Sequence, residues 1–302
     1  MEERKDFSDL KREVIDEGKC ALCGGCVTTC RLLDLGYLSM NFSAERPVIG
    51  EELQCPVNCG YCYYQCPRVE KPELREGLEE IYEVVSKDEE INNACPDGGV
   101  VTSLLASALA DALVEGAVTV ADKEGAMSEV RIAMNKAGLI ENAGGTYELA
   151  AALTGIADAI LNYGLWTVAL VGTPCQMAAY EKMLVVGRGT HNAHNFSSVV
   201  RLRVGLFCEG AYSNEDLKRE GCKICEDLTG RFSDLSVGSI GSPAGASTVI
   251  VHTDFGKKVF ESARQWGFIE AKPLDQAGVD LIRQKQQEKK EAGKAEKERR
   301  KQ

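Results

Sequence analysis

Thirteen cysteines in a chain of 302 residues constrain this protein more than any other feature of its sequence. Eight of them fall between Cys20 and Cys66, in a stretch with few long apolar runs. The N-terminus, MEERKDFSDLKREVIDEGK, lacks the apolar segment of a secretory signal peptide and so predicts a cytoplasmic protein. Disulfides rarely persist in that compartment, and an odd number of cysteines argues against a fully paired disulfide framework. The cysteines therefore predict metal or redox chemistry.

The eight N-terminal cysteines form two motifs with the spacing of iron–sulfur ligands. The first reads C-x2-C-x2-C-x3-C, and the second reads C-x3-C-x2-C-x3-C followed by Pro67. A [4Fe–4S] cluster takes one thiolate per iron, and in two-cluster ferredoxins the last cysteine of each motif binds the other cluster. This rule assigns Cys66 to the first cluster and Cys30 to the second. The predicted ligands are Cys20, Cys23, Cys26, Cys30, Cys55, Cys59, Cys62 and Cys66.

Two structural zinc sites or a disulfide knot are the alternatives for these eight cysteines. A full four-cysteine run is more specific for a cluster than the CxxC pairs that are typical of zinc sites. The second motif departs by one residue at its start, and Arg31 stands where a proline commonly follows the fourth cysteine. Neither departure removes a ligand.

Beyond residue 90, strand and helix signals alternate along the chain. This alternation predicts an α/β core with a largely parallel or mixed sheet. Helices are predicted over residues 100–114, 147–163 and 255–266, and strands over 117–121, 129–134, 167–172, 199–207 and 247–253. The predicted domains are a small two-cluster ferredoxin-like domain over 1–67, a Glu- and Lys-rich linker or helix over 68–90, the α/β core over 91–280, and a charged tail over 281–302.

Four of the remaining five cysteines could form a third site. Cys175 follows the strand 167–172 and Cys208 ends the strand 199–207, and open α/β sheets place ligand sites at the carboxyl ends of their strands. Cys222 and Cys225 form a CxxC pair in a loop. On spacing alone, a third cluster, a zinc site and small buried cysteines remain equally open. Cys95 is then left over, as a small buried residue.

The charge distribution argues against some classes of binding partner. The net charge is −11, and residues 283–302 carry nine basic and four acidic side chains, which leaves −16 on the rest, with 26 basic against 42 acidic residues. An acidic body argues against nucleic acid or an anionic membrane as the main partner. No run of eighteen apolar residues is present, so no membrane-spanning helix is predicted. The basic tail is predicted to be a solvated or frayed helix, with a docking peg for an acidic partner as the alternative.

Several short motifs follow one another along the second part of the chain. They are Asp97-Gly-Gly-Val-Val-Thr-Ser, Ala143-Gly-Gly-Thr-Tyr, Val171-Gly-Thr-Pro-Cys-Gln, Gly205-Leu-Phe-Cys and Gly221-Cys-Lys-Ile-Cys-Glu-Asp-Leu-Thr. In their composition and order these motifs resemble the beta subunits of coenzyme F420-reducing hydrogenase and of F420H2 dehydrogenase, over roughly residues 92–275. The N-terminal cysteine segment resembles that of the input subunit of membrane-bound F420H2 dehydrogenases.

This resemblance implies FAD in the α/β core, a coenzyme F420 site beside it and an iron–sulfur cluster next to the flavin. Carried over from the family, the ligands of that third [4Fe–4S] cluster are Cys175, Cys208, Cys222 and Cys225. The segment between the Phe-Cys strand and the CxxC loop has only thirteen residues here (209–221), fewer than is usual in the family.

Residues that could contact the flavin come from the same motifs. Gly98 and Gly99 precede a helix whose free N–H groups and dipole suit a pyrophosphate, and Thr102 and Ser103 add hydroxyl donors. A helix start or a plain turn without a ligand is the alternative reading for these glycines. The full set of predicted cofactor contacts is Gly98, Gly99, Thr102, Ser103, Gly144, Gly145, Thr146, Thr173, Gln176 and Gly238. His252, in a predicted strand, is expected to be packed rather than catalytic.

These observations predict an oxidoreductase subunit that transfers electrons between coenzyme F420, FAD and three [4Fe–4S] clusters. No catalytic residue is predicted, because cofactors of this kind carry the chemistry themselves. The expected partner is a redox subunit of a hydrogenase, formate dehydrogenase, membrane dehydrogenase or reductase. The alternatives are a ferredoxin-dependent flavoprotein reductase that does not use F420, and an iron–sulfur relay without flavin.

Overall fold

The computed structural model describes residues 4–56, 59–73, 79–95, 98–123, 126–144, 150–187, 198–211 and 219–301. An N-terminal unit built from short elements carries the eight clustered cysteines, and an eight-stranded sheet with helices on both faces follows it. The predicted α/β core with a mixed sheet is therefore confirmed. Among the helices in these ranges, none is both long enough and apolar enough to cross a bilayer.

The N-terminal unit consists of short elements around a small apolar core. Phe7, Leu10, Val14 and Leu38 pack there with Cys30 and Cys62. Gly24 and Gly60 have φ of 86° and 66°, and each is followed directly by the first residue of a helix. The elements are α1 (Phe7–Leu10), a π-helical segment (Lys11–Ile15), α2 (Gly25–Leu32), an antiparallel hairpin of β1 (Leu38–Asn41) and β2 (Arg46–Ile49), and α3 (Tyr61–Tyr64).

The core sheet has the strand order β10-β3-β9-β8-β7-β6-β4-β5. Its central strands β4, β6, β7 and β8 are parallel, whereas β5, β9, β3 and β10 pair antiparallel. The parallel strands therefore end at one common edge. The strands are β3 (Glu80–Ser86), β4 (Gly116–Lys123), β5 (Ala126–Ala133), β6 (Val168–Gly172), β7 (Val200–Leu206), β8 (Leu235–Gly238), β9 (Ser247–Val251) and β10 (Ile269–Pro273).

Successive side chains along a strand of the sheet pack into two separate apolar cores. Ala169 and Val171 of β6 face the core that contains α5 and α10, whereas Val168 and Leu170 face the core that contains α7 and α8. The helices are α4 (Glu89–Ala94), α5 (Val100–Ala110), α6 (Lys136–Glu141), α7 (Thr154–Leu161), α8 (Pro174–Gly187), α9 (Glu220–Lys223), α10 (Asp254–Gln265) and α11 (Gln276–Arg299).

The structure corrects the prediction of a linker or helix over residues 68–90. Residues 80–86 form strand β3, which lies inside the sheet between β10 and β9. The charged residues that suggested a linker form ion pairs, Glu80 with Lys257 of α10 and Glu83 with Lys272 of β10. The β-branched Val84 and Ile81 point to opposite faces of the sheet and pack in separate apolar clusters, with Val84 only 1% exposed.

Two predicted helices are shorter than expected. The helix predicted over 100–114 ends at Ala110, because the chain turns at Ala112, which has a φ of 52°. The helix predicted over 147–163 begins only at Thr154; residues 145–149 lie outside the described ranges, and residues 150–153 are not helical. There the amide of Leu153 donates to the carbonyl of Cys23, 3.2 Å away, so a contact with the N-terminal unit replaces the helix.

The charged tail is also different from the prediction. It forms the 24-residue helix α11, which is not frayed but packs by Ile282 and Gly293, both buried. Ile282 joins Phe207, Ile250 and Leu274 in a fourth apolar cluster. A sequence with few apolar residues thus lies against the core through two buried positions and, as described below, through polar contacts.

Candidate functional site

All thirteen cysteines are free thiols, and the fold gathers twelve of them into three sets. In the first set, the thiol of Cys23 interacts electrostatically with Cys20 and Cys66, and Cys26 interacts with all three of these. Cys66 therefore lies with the first motif, although it belongs to the second. A cavity between α2 and α3 is lined by Cys20, Cys23, Cys26, Cys62 and Cys66 together with apolar side chains such as Leu10, Val14 and Leu22.

The second set combines the last cysteine of the first motif with the first three cysteines of the second motif. Cys62 interacts with Cys55, Cys59 and Cys30, so Cys30 of the first motif lies with the second. The two motifs are joined by Gln65, whose side-chain amide donates to the carbonyl of Gly25 at 2.9 Å and accepts from the hydroxyl of Thr29 at 2.5 Å. This exchange of last cysteines is the arrangement that the spacing predicts for two cross-ligated clusters.

The third set lies at the carboxyl edge of the parallel strands. Cys175 stands in the first turn of α8, directly after β6, and Cys208 follows β7. The thiol of Cys175 interacts with Cys225 and Cys208, and Cys208 interacts with Cys222 and Cys225. These four thiols come from three separate loops, so the register of β6 and β7 and the loop of α9 bring them together.

Helix α11 holds the loops that carry the third set. The side chain of Gln286 accepts from the amide of Leu228 at 2.9 Å and donates to the carbonyl of Glu226 at 2.8 Å. Lys289 donates to the carbonyl of Cys208, and Lys297 pairs with Glu226. Gly293 approaches closely, because a Cβ there would lie 2.7 Å from the carbonyl oxygen of Cys225. The tail is therefore part of this site.

Burial opposes ionisation of these thiols, and hydrogen bonds and charges favour it. Burial raises the pKa of Cys55 to about 11 and the pKa of Cys175 to about 12. Acting against burial, Arg68 and the Thr173 hydroxyl, 3.2 Å from the sulfur, lower the pKa of Cys175. Backbone amides of Arg68 and Val69 do the same for the pKa of Cys66. Burial thus opposes ionisation of Cys55 and Cys175, and a bound cation would favour their thiolate forms.

The spacing of the donors bears on which metal group fits. A single zinc ion needs sulfurs that converge on one point about 2.3 Å away. Within the described ranges, no three His, Cys, Asp or Glu side chains converge on a single metal ion in this way. A [4Fe–4S] cluster uses one thiolate per iron and so holds its four sulfurs further apart. Each set consists of four cysteines, which is the donor chemistry that a cluster takes, and the cavity at the first set is lined by apolar side chains.

The glycines before α5 lie at a second candidate site. Gly98 and Gly99 have φ of 91° and 64°, and a Cβ at Gly98 would lie 3.2 Å from the carbonyl oxygen of Gly245. The start of α5 thus faces the loop between β8 and β9, near Ser247. The first N–H groups of an 11-residue helix have no partner within the helix, so this junction could bind an anionic group of a cofactor.

The hydroxyls predicted as donors on α5 are used within the protein. The hydroxyl of Ser103 donates to that of Ser86 at 2.8 Å, and the Ser103 side chain is fully buried. The Thr102 hydroxyl lies 3.6 Å from the sulfur of Cys95. Of the cofactor contacts predicted here, the two glycines remain the residues best placed for a ligand.

Other predicted cofactor contacts also have protein neighbours. Gln176 accepts from the amide of Thr173 at 2.7 Å and donates to the carbonyl of Ala150 at 2.7 Å, so its side chain fixes the turn after β6. A Cβ at Gly238 would lie 2.2 Å from the ring of Phe207, so this glycine is required for packing. Gly144 has a φ of 84°, and no heavy atom of the described residues lies within 4 Å of a Cβ built there. Gly145 and Thr146 lie outside the described residues.

Sequence reasoning missed the basic residues beside the third set. Arg68 interacts electrostatically with thiols of two sets, and Lys289 interacts with Cys208. The position of Arg68, two residues after the last cysteine of its motif, is visible in the sequence, but its long-range contacts are not. His252 is buried as expected, and its ring lies 2.8 Å from the hydroxyl of Ser236.

Comparison with family models gives matches across the core. Residues 81–157 match the N-terminal model of the coenzyme F420 hydrogenase/dehydrogenase beta subunit. Residues 165–219 and 212–277 match the C-terminal model in two overlapping parts. The two parts overlap at residues 212–219, within the segment 209–221. The first matched residue lies just inside β3, so the family pattern includes this strand.

Related proteins match over most of their lengths. An uncharacterized protein of Methanocaldococcus jannaschii is 30% identical, with 88% of this chain and 92% of that protein covered. The coenzyme F420 hydrogenase subunit beta of Methanothermobacter thermautotrophicus is 30% identical, with 70% and 91% covered. Among solved structures, a chain of the F420-reducing [NiFe] hydrogenase complex from Methanosarcina barkeri has the same fold, with a TM-score of 0.68, 23% identity, and 74% and 93% covered.

Proposed function

Because the chain belongs to the family of coenzyme F420 hydrogenase/dehydrogenase beta subunits, we propose that it is an iron–sulfur flavoprotein subunit. In this proposal it transfers electrons between coenzyme F420 and a partner redox subunit, by way of FAD and three [4Fe–4S] clusters. The observation that carries the proposal is the gathering of twelve cysteines into three sets of four from distant parts of the chain. Membership of the family supports an oxidoreductase role.

The positions of the three sets support a relay. The thiol of Cys26 in the first set interacts with Cys62 of the second, and Cys23 interacts with Cys175 of the third. The first set therefore lies between the other two. The third set sits at the sheet edge where the flavin is proposed, and the second set is furthest along the N-terminal unit. This order would lead from the core to a partner that docks on that unit.

FAD would be held by this chain's backbone more than by its side chains. Gly98 and Gly99 at the start of α5, the loop of Gly245 and the open turn at Gly144 are the proposed contacts. When bound, FAD exchanges a hydride for single electrons, which is the chemistry needed between F420 and one-electron clusters. The protein's task is to hold the groups in place and to keep water from the thiols, which its buried sulfurs and apolar cavity do.

The names of related proteins indicate which classes of partner subunit this chain could bind. One relative is a component of the F(420)H(2) dehydrogenase of Methanosarcina mazei, 25% identical with 89% of each chain covered. Others are subunits of F420 hydrogenase, as described above. We propose a redox partner of this class: a subunit of a hydrogenase, formate dehydrogenase, membrane dehydrogenase or reductase.

Iron and flavin analysis of the anaerobically purified protein tests the proposal. Three clusters predict about twelve irons per chain, from four irons per cluster, together with one flavin. A preparation with about eight irons would remove the third cluster. Zinc in place of iron would reject the whole scheme, and iron without flavin would favour the simple relay.

The second candidate is a flavoprotein reductase of the same family that does not use F420. The observation that favours it is the short segment 209–221, around which the family model matches in two parts. Stopped-flow mixing with reduced F420 separates the two candidates. Bleaching of the flavin absorbance supports F420 as the donor. A flavin that is bleached by reduced ferredoxin but not by reduced F420 supports the reductase.

A further inference from the structure

Arg68 connects the N-terminal unit to the loop that carries the third cysteine set. It follows Cys66 by two residues, and its guanidinium donates to the carbonyl of Gly221 at 2.9 Å. Gly221 itself lies tightly against the first motif, because a Cβ there would be 2.4 Å from the carbonyl oxygen of Cys20. The side chain of Arg68 therefore occupies the boundary between the first and third sets.

The Nε–H group of Arg68 is buried and has no hydrogen-bond partner within the described residues. Arg68 lines the cavity that Cys20, Cys23, Cys26 and Cys66 also line. A buried N–H group without a partner costs about 1–3 kcal/mol, so an unpartnered donor on a side chain that lines a cavity points to an acceptor within that cavity. The sulfur atoms of a cluster held by these thiols are acceptors of the required kind.

The charge of Arg68 acts on both sets. Its guanidinium interacts with Cys66 of the first set and with Cys175, Cys222 and Cys225 of the third. Its described hydrogen bond goes to a neutral carbonyl, and the nearby Glu70 and Glu226 pair with lysines instead. The cation is therefore directed towards the sulfurs on either side of it.

We propose that Arg68 is a positioning residue shared by the first and third clusters, donating through Nε to a sulfur of the first and raising the reduction potentials of both. This inference rests on the proposed function, since it requires clusters on these two sets. Reduction adds one electron, and so one negative charge, to each cluster. A fixed cation beside the cluster favours the reduced form, and its low-dielectric surroundings strengthen the effect.

Two substitutions of Arg68 separate its charge from its hydrogen bond. Arg68→Gln removes the cation, whereas Arg68→Lys keeps a cation but loses the Nε–H donor. The matched control is Arg219→Gln, because Arg219 is also buried and joins the N-terminal unit to the core, through Glu45 at 3.0 Å. The full-length, anaerobically purified protein is titrated with a reductant, and each cluster is followed by EPR.

In Arg68→Gln we expect two of the three clusters to be harder to reduce, each by about tenfold in its reduction equilibrium, which is about 59 mV for one electron. The cluster of Cys30, Cys55, Cys59 and Cys62 should keep its potential and serves as an internal reference. Arg68→Lys should recover most of the shift in the third cluster and less in the first, since only the first uses Nε. Arg219→Gln should leave all three potentials unchanged.

Several outcomes would overturn the inference. These are unchanged potentials in Arg68→Gln, an equal shift in Arg219→Gln, or a shift spread over all three clusters. Loss of iron in both Arg68 variants would make Arg68 a residue required for assembly rather than for tuning. A failure of the proposed function looks different, because the unsubstituted protein would then lack the twelve irons.

Discussion

At the scale of single residues, twelve of the cysteines have other cysteine thiols as neighbours, and Cys95 lies in a different environment. Cys95 is buried at the end of α4, and its sulfur lies 3.6 Å from the hydroxyl of Thr102. The odd number of cysteines, which first argued against disulfides, is what three complete sets leave over. The spacing of the cysteines predicts part of this grouping, and the fold shows which thiols lie near one another.

Substitution of Cys175 tests this division. Cys175→Ala should lower the iron content from about twelve to about eight per chain, because a cluster that loses one thiolate in a shared site is not retained. Cys95→Ala is the matched control and should keep about twelve irons. The measurement is colorimetric iron analysis of anaerobically purified protein. Equal iron contents in the two variants would contradict the third set.

His252 is a second residue whose surroundings decide its behaviour. Burial is the main cause that lowers its pKa to about 4, and Arg231 and Arg203 add to it while Asp234 opposes it. In the unfolded chain the imidazole has its ordinary pKa of about 6.5. Between these values the unfolded state binds more protons, so stability rises with pH and falls as the solution is acidified.

We therefore expect His252 to contribute a loss of stability as the pH falls from about 6.5 to about 4. The shift corresponds to about 3 kcal/mol of unfolding free energy at the acidic end and to none above pH 7. His252→Gln keeps a hydrogen-bonding group near Ser236 but does not titrate. Melting temperatures of both proteins, taken across this pH range, should diverge on acidification. Parallel curves would show that His252 does not titrate in this window.

At the scale of elements, helix α11 shows how polar residues can fix a site. Its buried surface is small, yet Gln286 and Lys289 satisfy backbone groups of the loops around Cys208 and Leu228. Arg300, near its end, pairs with Glu220 at 2.6 Å beside Cys222. A helix that the composition suggests is solvated therefore restrains two loops and the short helix α9.

Neighbouring glutamines on α11 give a direct test of this role. Gln286→Ala removes two hydrogen bonds to loop backbone and should cost about 1–3 kcal/mol, with faster loss of iron from the third set. Gln287→Ala is the control, because Gln287 bonds Glu291 on the exposed side of the same helix, at 2.6 Å. Its cost should stay within about 0.5 kcal/mol. Melting temperature and the rate of iron capture by a chelator measure both effects, and equal rates would contradict the role of α11.

At the scale of the whole molecule, the N-terminal unit is docked on the core rather than suspended from it. Helix α2 lies against α7 and α8, and Arg31 pairs with Asp158 at 3.0 Å. The closest approach is at Gly24, where a Cβ would lie 2.9 Å from the Thr154 side chain and 3.0 Å from the carbonyl of Ala151. The packing of the first set against the third depends on this contact.

Two glycines with similar backbone conformations test the docking. Gly24→Ala places a Cβ in the interface and should cost about 1–3 kcal/mol beyond the backbone strain. Gly36 has a φ of 65° but nothing within 4 Å of a built Cβ, so Gly36→Ala should show only the strain, about 1 kcal/mol. Gly24→Ala should also increase proteolytic cleavage between the unit and the core. Equal melting temperatures for the two variants would show that the approach at Gly24 is not tight.

The sequence predicted the features that local spacing controls. The strands at 167–172 and 199–207 and the helix at 255–266 agree with β6, β7 and α10 to within one residue at each end. The rule for two-cluster ferredoxins predicts that Cys66 serves the first motif and Cys30 the second, and this ligation stays a prediction. In the structure Cys66 lies near the first motif and Cys30 near the second. These features depend on a few consecutive residues, whose periodicity and turn glycines are visible in one dimension.

Only the tertiary structure decided the features that depend on distant partners. The Glu- and Lys-rich residues 80–86 form a strand inside the sheet because β9 and β10 pair with them on either side, and the helix before Thr154 was replaced by a contact with Cys23. The tail restrains the loops of the third set because its side chains form hydrogen bonds to backbone groups of those loops. By itself, the sequence determined the number and spacing of the cysteines in this protein. The fold brought Cys175 near Cys208 and Cys225 and placed Arg68 between two sets, because contacts such as that between Arg68 and Gly221 join residues that are 153 positions apart and leave no local signal in the sequence.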